Sequence, residues 1–417
     1  MSDHALLSAS SAHRWLECPP SARLEKEFPE TMGEAAAQGS EAHTLAEYKL
    51  KTALKSYLPQ FSESSVEDLK RPNGIYEDAE MDAYTDDYVD FVLKQISKFK
   101  QPVKYDESSF CLSGISGDPL VLIEQKIDFS KYVSGGFGTA DCVIVSEGNI
   151  HIIDFKYGQG VLVEAVDNPQ LKLYALGALN LLDNLSMDNL PSDTVHKISS
   201  VYNISSISMT IFQPRRENIS SSKISKESLY KWADEVLVPT ANLAFNGIGE
   251  YKPGEHCRFC RASIKCRARA EYQLELAKLD FADPPTLSDE ELSRILLKLD
   301  DLILWANSLK EYALKEALNG KYWQGFKLVE GRSVRRYSDE KSVSDKLKSE
   351  GFGMEEIYKT SLLSLTELEK KFGKKKVDEI LRGLIIKPPG KPALVSISDK
   401  RTEICGRLDT REDFKGI

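Results

Sequence analysis

The chain has 417 residues, 41% of them hydrophobic and 29% charged, so it can bury a large core and is long enough for more than one domain. Its net charge of −9 gives no general case for a nucleic-acid partner. Any such contact rests on local basic surface, of which RFCRASIKCRARA and FKLVEGRSVRRY are the densest stretches. No apolar run is long enough to span a bilayer, so no membrane contact is expected. The opening MSDHALLSASSAHRW has neither the basic nor the apolar region of a signal peptide, and the expected location is cytoplasmic.

From Ser21 to about Leu54 the composition favours helix, notably EAAAQGSEAHTLAEYKLKTALK, which is rich in alanine, leucine and charge and free of proline. SYLPQFSESSVEDLKRPNG is punctuated by proline, serine and glycine and reads as a loop or insertion. AEMDAYTDDYVDFVLKQISKF follows as a second helix with Tyr84, Val89, Phe91, Val92 and Ile96 as its apolar positions. The period then changes: PLVLIEQKIDFS, GTADCVIVSEG and NIHIIDFKYG read as three short strands of a meander, with Gly135, Gly136 and Gly138 as turn glycines. PQLKLYALGALNLLD is again helical and SSISMTIFQP is a further strand. A helix from about Lys226 to Asn246 leads into a cysteine-rich run, and helical segments continue to about Leu318.

Helix, three strands, helix and strand imply a mixed central sheet flanked by helices, in the α/β class. Beyond Gly320 the composition changes: WQGFKLVEGRSVRRY looks like a hairpin, TELEKKFGKKKVDEILRGL is helical and KPPGKPALV is extended. The expected organisation is a main domain over residues 1–275, a helical linker over 276–320 and a small α+β domain over 321–417. No internal repeat is evident.

Four of the seven cysteines form a pattern: Cys18 in HRWLECPPS, then Cys257, Cys260 and Cys266 in GEHCRFCRASIKCRAR. The late three lie in a polar run that cannot be core, and two cysteines two residues apart chelate naturally. Reduced thiols in a cytoplasmic chain favour metal over disulfide. Four thiolates can hold an iron–sulfur cluster or a structural zinc, and either would staple the ends of a roughly 250-residue stretch. Cys111, Cys142 and Cys405 stand among apolar neighbours and read as core.

The meander carries Asp141 in GTADCVIV and Asp154 with Lys156 in HIIDFKYG. Side chains alternate along a strand, so Asp154 and Lys156 share a face while Phe155 points into the core. A neighbouring strand that sets Asp141 beside Asp154 creates a hard-oxygen site for Mg²⁺ or Mn²⁺. Such an ion activates a water, which a nearby lysine can position, and this chemistry suits phosphodiester hydrolysis. Taken alone, an Asp–Lys pair on a strand is most often a surface ion pair. Glu124, on the preceding strand, is a further candidate for the site, while His151 faces the opposite side of its strand from Asp154 and reads as structural.

The surrounding residues resemble the PD-(D/E)XK nuclease superfamily in its RecB-like branch. The resemblance rests on five motifs in order over residues 6–270: Cys18 in its N-terminal context; Gly39, His43 and Glu47; GTAD ending at Asp141, with DFK from Asp154 to Lys156; Gln170 and Tyr174 one turn apart; and the late C-x2-C-x5-C. It implies a restriction-endonuclease-like core and a metal set of His43, Asp141, Asp154 and Phe155. It also implies Lys156 serving the attacking water, with Gln170 and Tyr174 shaping the DNA side of the site. Glu47 reads as a support for His43 or a surface pair. The four cysteines look like the 4Fe–4S staple of AddB-type nucleases, with zinc as the alternative. The expected activity is that of a Mg²⁺- or Mn²⁺-dependent deoxyribonuclease, an exonuclease of DNA end processing. DNA is the expected partner, with phage recombination proteins a further partner class by analogy with standalone phage enzymes. The alternative is a RecB-like fold without catalysis that binds DNA or a partner protein.

Overall fold

Five strands build the sheet, in the spatial order of the sequence: β1 (Leu120–Asp128), β2 (Phe137–Ser146), β3 (Asn149–Phe155), β4 (Ser206–Gln213) and β5 (Asn218–Ser225). The structure is a computed structural model that describes residues 5–29, 33–55, 58, 70–99, 119–185, 203–275, 288–326, 373 and 379. The pairs β1–β2, β2–β3 and β4–β5 are antiparallel, whereas β3 and β4 run parallel. Parallel neighbours need a crossover, and helix α5 (Pro169–Leu185) lies within it.

Helices cover both faces. On one side, α5 and the N-terminal segment pack on Val143, Val145, Ile150, Ile152, Met209 and Ile211. That segment includes the short helices α1 (Ala12–Trp15) and α2 (Ser21–Leu24). On the other side, α3 (Glu34–Lys55) and α4 (Ala79–Phe99) pack on Cys142, Ile144, Ile153 and Phe155. All seven residues of β3 are buried, as expected of a strand covered on both faces. Gly177 lets α5 come close, because a Cβ there would overlap the Ile127 side chain of β1. After β5 come α6 (Lys226–Trp232), a π-turn over Ala233–Leu237, α7 (Val238–Asn246), α8 (Arg267–Leu274) and the 30-residue α9 (Asp289–Leu318). Among the described residues no helix is long and apolar enough to cross a membrane.

Two elements depart from the expectation. The helix expected from Ser21 to Leu54 is divided: α2 tightens into a 3-10 turn at Glu25–Glu27, Phe28 is extended, and α3 starts only at Glu34. Pro29 explains the break, since a residue before proline is pushed out of the helical region. Strand β5, NISSSKIS, was not foreseen, because its serines carry no strand preference. It is held by β4 and by a Thr210–Ser221 hydroxyl contact of 2.9 Å. The hairpin and helix expected beyond Gly320, and Cys111 and Cys405, lie outside the described residues. Cys142 is fully buried, and burial pushes its thiol well above its usual range.

His151 is buried, 2.9 Å from Thr210 Oγ1, and burial together with the charge of Lys98 lowers its pKa to about 4. The unfolded chain therefore takes up a proton near pH 6.5 that the folded chain refuses until about pH 4. Stability is full above that window and declines as pH falls through it. The wild type is expected to lose about 3 kcal/mol more than His151→Gln between pH 7 and 4, measured by urea unfolding.

Candidate active site and four-thiol centre

Sheet alternation breaks at one matched pair of residues. In β2, Ala140 and Val143 face α5 although they are three apart, and in β1, Val121 and Ile127 face opposite sides although they are six apart. Both strands therefore change face at Asp141 and Glu124, which lie across from each other between the Ile123–Cys142 and Gln125–Ala140 pairs. Glu124 has φ of 46°, the left-handed region, inside a strand. The reversal turns both carboxylates toward His43 on α3: His43 Nδ1 is 3.3 Å from Asp141 Oδ1 and 3.7 Å from Glu124 Oε1. These three residues bring one ligand atom each within 4.8 Å of one another, a cup that can hold a divalent cation.

The β2–β3 ladder ends at Cys142–Ile153, and the next pair in register is Asp141 and Asp154. There the Asp141 side chain replaces the ladder, its Oδ2 accepting the Phe155 N–H at 2.6 Å. Asp154 faces α5. That helix starts at Pro169, and Asn168 accepts the Leu171 N–H at 3.2 Å, which fixes the first turn and thus Gln170. Gln170 Nε2 donates to Asp154 Oδ1 at 3.0 Å and to the Tyr174 hydroxyl at 3.2 Å, while Lys156 Nζ donates to Gln170 Oε1 at 3.1 Å. Lys156 Nζ also stands 3.0 Å from Asp154 Oδ2, a buried atom with no directional hydrogen-bond partner. A carboxylate oxygen beside one ammonium still has a lone pair for a cation, so the donor set of the site fits a metal. Gly138 gives Tyr174 its room, since a Cβ there would lie 3.0 Å from the ring.

Charge is concentrated here under little water. Burial drives the Asp154 carboxyl up to about 6 against the pull of Lys156. Burial opposes charge on His43, but Asp141 outweighs it and raises the imidazole to about 10. The proton on His43 answers the field of two carboxylates, a field that attracts a metal cation equally. Asp141 is held below its usual range by His43 despite burial, and Glu124 is raised, first by burial.

The residues named from sequence thus divide into two touching groups. His43 and Asp141 meet with Glu124, and Asp154, Lys156, Gln170 and Tyr174 form a closed hydrogen-bonded set. The Phe155 side chain stacks on Tyr88 with centroids 4.8 Å apart, so Phe155 can offer a metal only its backbone carbonyl. Glu47 turns to Lys51 at 2.6 Å. Glu124 was a candidate by its strand alone, and its strained backbone is not visible in sequence. Glu124→Gly relieves that strain and one like charge. It is expected to stabilise the fold by about 1 kcal/mol while weakening Mn²⁺ binding at least tenfold, read by thermal unfolding and calorimetry.

Between the N-terminal segment and the start of α8, Cys18, Cys257, Cys260 and Cys266 line one cavity together with Arg14, Lys252, His256 and Arg269. All four are free thiols. Burial opposes ionisation of Cys257, but His256, the Gly254 N–H and Arg269 prevail and bring it down to about 7. Burial raises Cys260 to about 12, with Glu25 adding to it. No three of the four sulfurs come within 4.8 Å of one another. Tetrahedral zinc, with Zn–S of about 2.3 Å, requires sulfurs only about 3.8 Å apart. The four thiols thus share one cavity without the close sulfur spacing of a formed zinc site.

A family model described as "Protein of unknown function (DUF2800)" matches residues 4–402. Among solved structures the chain is similar to one titled "Crystal structure of SSO0001", at 12% identity and a TM-score of 0.24, over 64% of this chain and 89% of that one.

Proposed function

The chain belongs to the DUF2800 family, and from its own site we propose that it is a metal-dependent DNA nuclease with a restriction-endonuclease-like, RecB-like core. The observation that carries this reading is the meeting of the two groups: the Phe155 N–H binds Asp141 while the adjacent Asp154 holds Lys156 and Gln170. Three carboxylates, an imidazole and an ammonium then converge where two central strands separate. A bound Mg²⁺ or Mn²⁺ supplies Lewis acidity and lowers the pKa of a coordinated water. His43, Glu124 and Asp141 would form the cup, and the neighbouring Asp154 adds a further carboxylate. Lys156, partly exposed and steadied by Asp154 and Gln170, orients the attacking water and meets the charge that develops on the phosphate. Gln170 and Tyr174 hold that lysine in place. The order of helices α3 and α4, three antiparallel strands, a crossover helix and a parallel strand supports the core assignment. The four thiols are assigned to a 4Fe–4S cluster of structural role, with zinc as the alternative, and their lining of one cavity supports a shared ligand set. End resection of DNA is the process proposed for it, by analogy with standalone phage nucleases.

The test is digestion of supercoiled and linear DNA by anaerobically purified protein with Mg²⁺, Mn²⁺ or chelator. Metal-dependent cleavage of linear DNA is expected. Failure to cleave any form, with iron fully loaded, would point to the non-catalytic binder. Lys156→Ala is expected to lower turnover by about 10²–10³-fold. Its Mn²⁺ affinity by calorimetry should stay within about threefold of wild type, because the lysine donates no hydrogen bond to His43, Glu124 or Asp141 and offers the metal no ligand.

A further inference from the structure

Arg14 and Glu25 lie between the two halves of the four-thiol centre. The Arg14 carbonyl accepts the Cys18 N–H at 2.9 Å. Its guanidinium reaches the other half, Nη1 donating to the Phe259 carbonyl at 2.9 Å. Nε and Nη2 of the same group each stand 2.9 Å from Glu25 Oε2. The other oxygen of Glu25, Oε1, accepts the Arg261 N–H at 2.8 Å. Residues 259 and 261 flank Cys260, and both are held by side chains from the segment that carries Cys18. His13 adds an edge-on ring contact to Phe259 at 5.5 Å. Glu25 is only 4% exposed, and a carboxylate that far from water persists only where it is paired and hydrogen-bonded, as this one is.

We propose that Arg14 and Glu25 form a metal-independent clasp that closes the Cys257–Cys260 loop onto the Cys18 segment before any cluster enters. Both are positioning residues, since the guanidinium offers iron no lone pair and both Glu25 oxygens are already held by Arg14 and the Arg261 N–H. The clasp fixes the backbone on both sides of Cys260 and ties it to the α1 segment, whose Arg14 carbonyl holds the Cys18 N–H. Cluster insertion then meets a pocket already formed, and the cost of bringing together segments about 240 residues apart falls on protein contacts. The part of this proposal that concerns insertion rests on the cluster assignment above, whereas the clasp itself does not.

The experiment uses the full chain, stripped of metal under reductant and without oxygen. Amide exchange at Arg261 is followed by fragment-level mass spectrometry. In the metal-free wild type this amide should stay protected. Glu25→Ala should speed its exchange at least about tenfold, with the far-UV circular dichroism unchanged. Glu25→Gln keeps an oxygen for Arg261 but loses the charge that binds Arg14, and should fall between; it also carries the comparison if Glu25→Ala does not fold. On reconstitution with ferrous iron and sulfide, Glu25→Ala should acquire visible absorbance several-fold more slowly than wild type, with Glu25→Gln intermediate. Exchange at Arg261 in the metal-free wild type as fast as in Glu25→Ala would overturn the clasp. Reconstitution of Glu25→Ala at the wild-type rate would overturn its role in insertion. A wild type that protects Arg261 yet binds no iron supports the clasp and removes the cluster assignment instead.

Discussion

Asparagine at position 154 is expected to abolish DNA cleavage, by about 10³-fold or more, without lowering the melting temperature. Asp154 is 2% exposed, and burial already drives its carboxyl up to about 6, so its charge strains the fold. Asparagine has the same shape and can still accept from Gln170, and removing the charge relieves that strain. What is lost is the partner that steadies Lys156 and the open oxygen at Oδ2. The cup of His43, Glu124 and Asp141 is untouched, so the variant should still bind Mn²⁺. Loss of turnover with metal bound and the fold at least as stable is the pattern of a site that trades stability for chemistry. Cleavage at the wild-type rate by Asp154→Asn would remove this residue from the reaction.

The second large effect is on stability. Cys266→Ser should yield colourless protein with stability reduced on the order of 5 kcal/mol, since a structural metal centre contributes directly to folding. The clasp makes the damage local. Cys266 immediately precedes α8, whose Arg269 pairs with Asp301 of α9 at 2.8 Å. Proteolysis of the variant should therefore begin beyond Cys266, while the segment through Arg261 remains resistant. Cys111→Ser, outside the spacing pattern, should keep colour and stability. The deciding quantity is activity per folded molecule: a folded, cluster-free variant with no activity would give the cluster a role in the reaction or in DNA contact.

Much of this architecture is legible in the sequence because local signals agree with the tertiary result. The α4 segment matches its periodic stretch from Ala79 to Phe99, and the meander from Leu120 to Phe155 turns at Gly135 and Gly136, whereas Gly138, expected in the turn, lies inside β2 opposite Ile127. The pairing of Gln170 with Lys156 and Asp154 is legible only through motif order, since nothing local to α5 predicts a lysine partner. Glu124 illustrates a different limit. Alternation places it on the α5 face with Leu122, and only a left-handed backbone matched by a reversal in β2 sends it to His43. Such strain is invisible to composition and periodicity, because the rest of the fold imposes it. Strand β5 escaped for the opposite reason: its serines are neutral, and pairing with β4 alone makes them a strand.

The distance along the chain between the two halves of the thiol centre also governs when it can form. Cys18 leaves the ribosome about 240 residues ahead of Cys257, which at about 5–20 residues per second is a wait of roughly 10 to 50 s. Every residue of the acidic site, from His43 to Tyr174, emerges within that interval, and so does every strand of the sheet. During it Cys18 is a single thiol without chelating neighbours, unable to retain iron. On the cluster assignment, ring closure is thereby postponed until Cys266 has emerged, and iron delivery is expected to follow the birth of the sheet rather than to guide it.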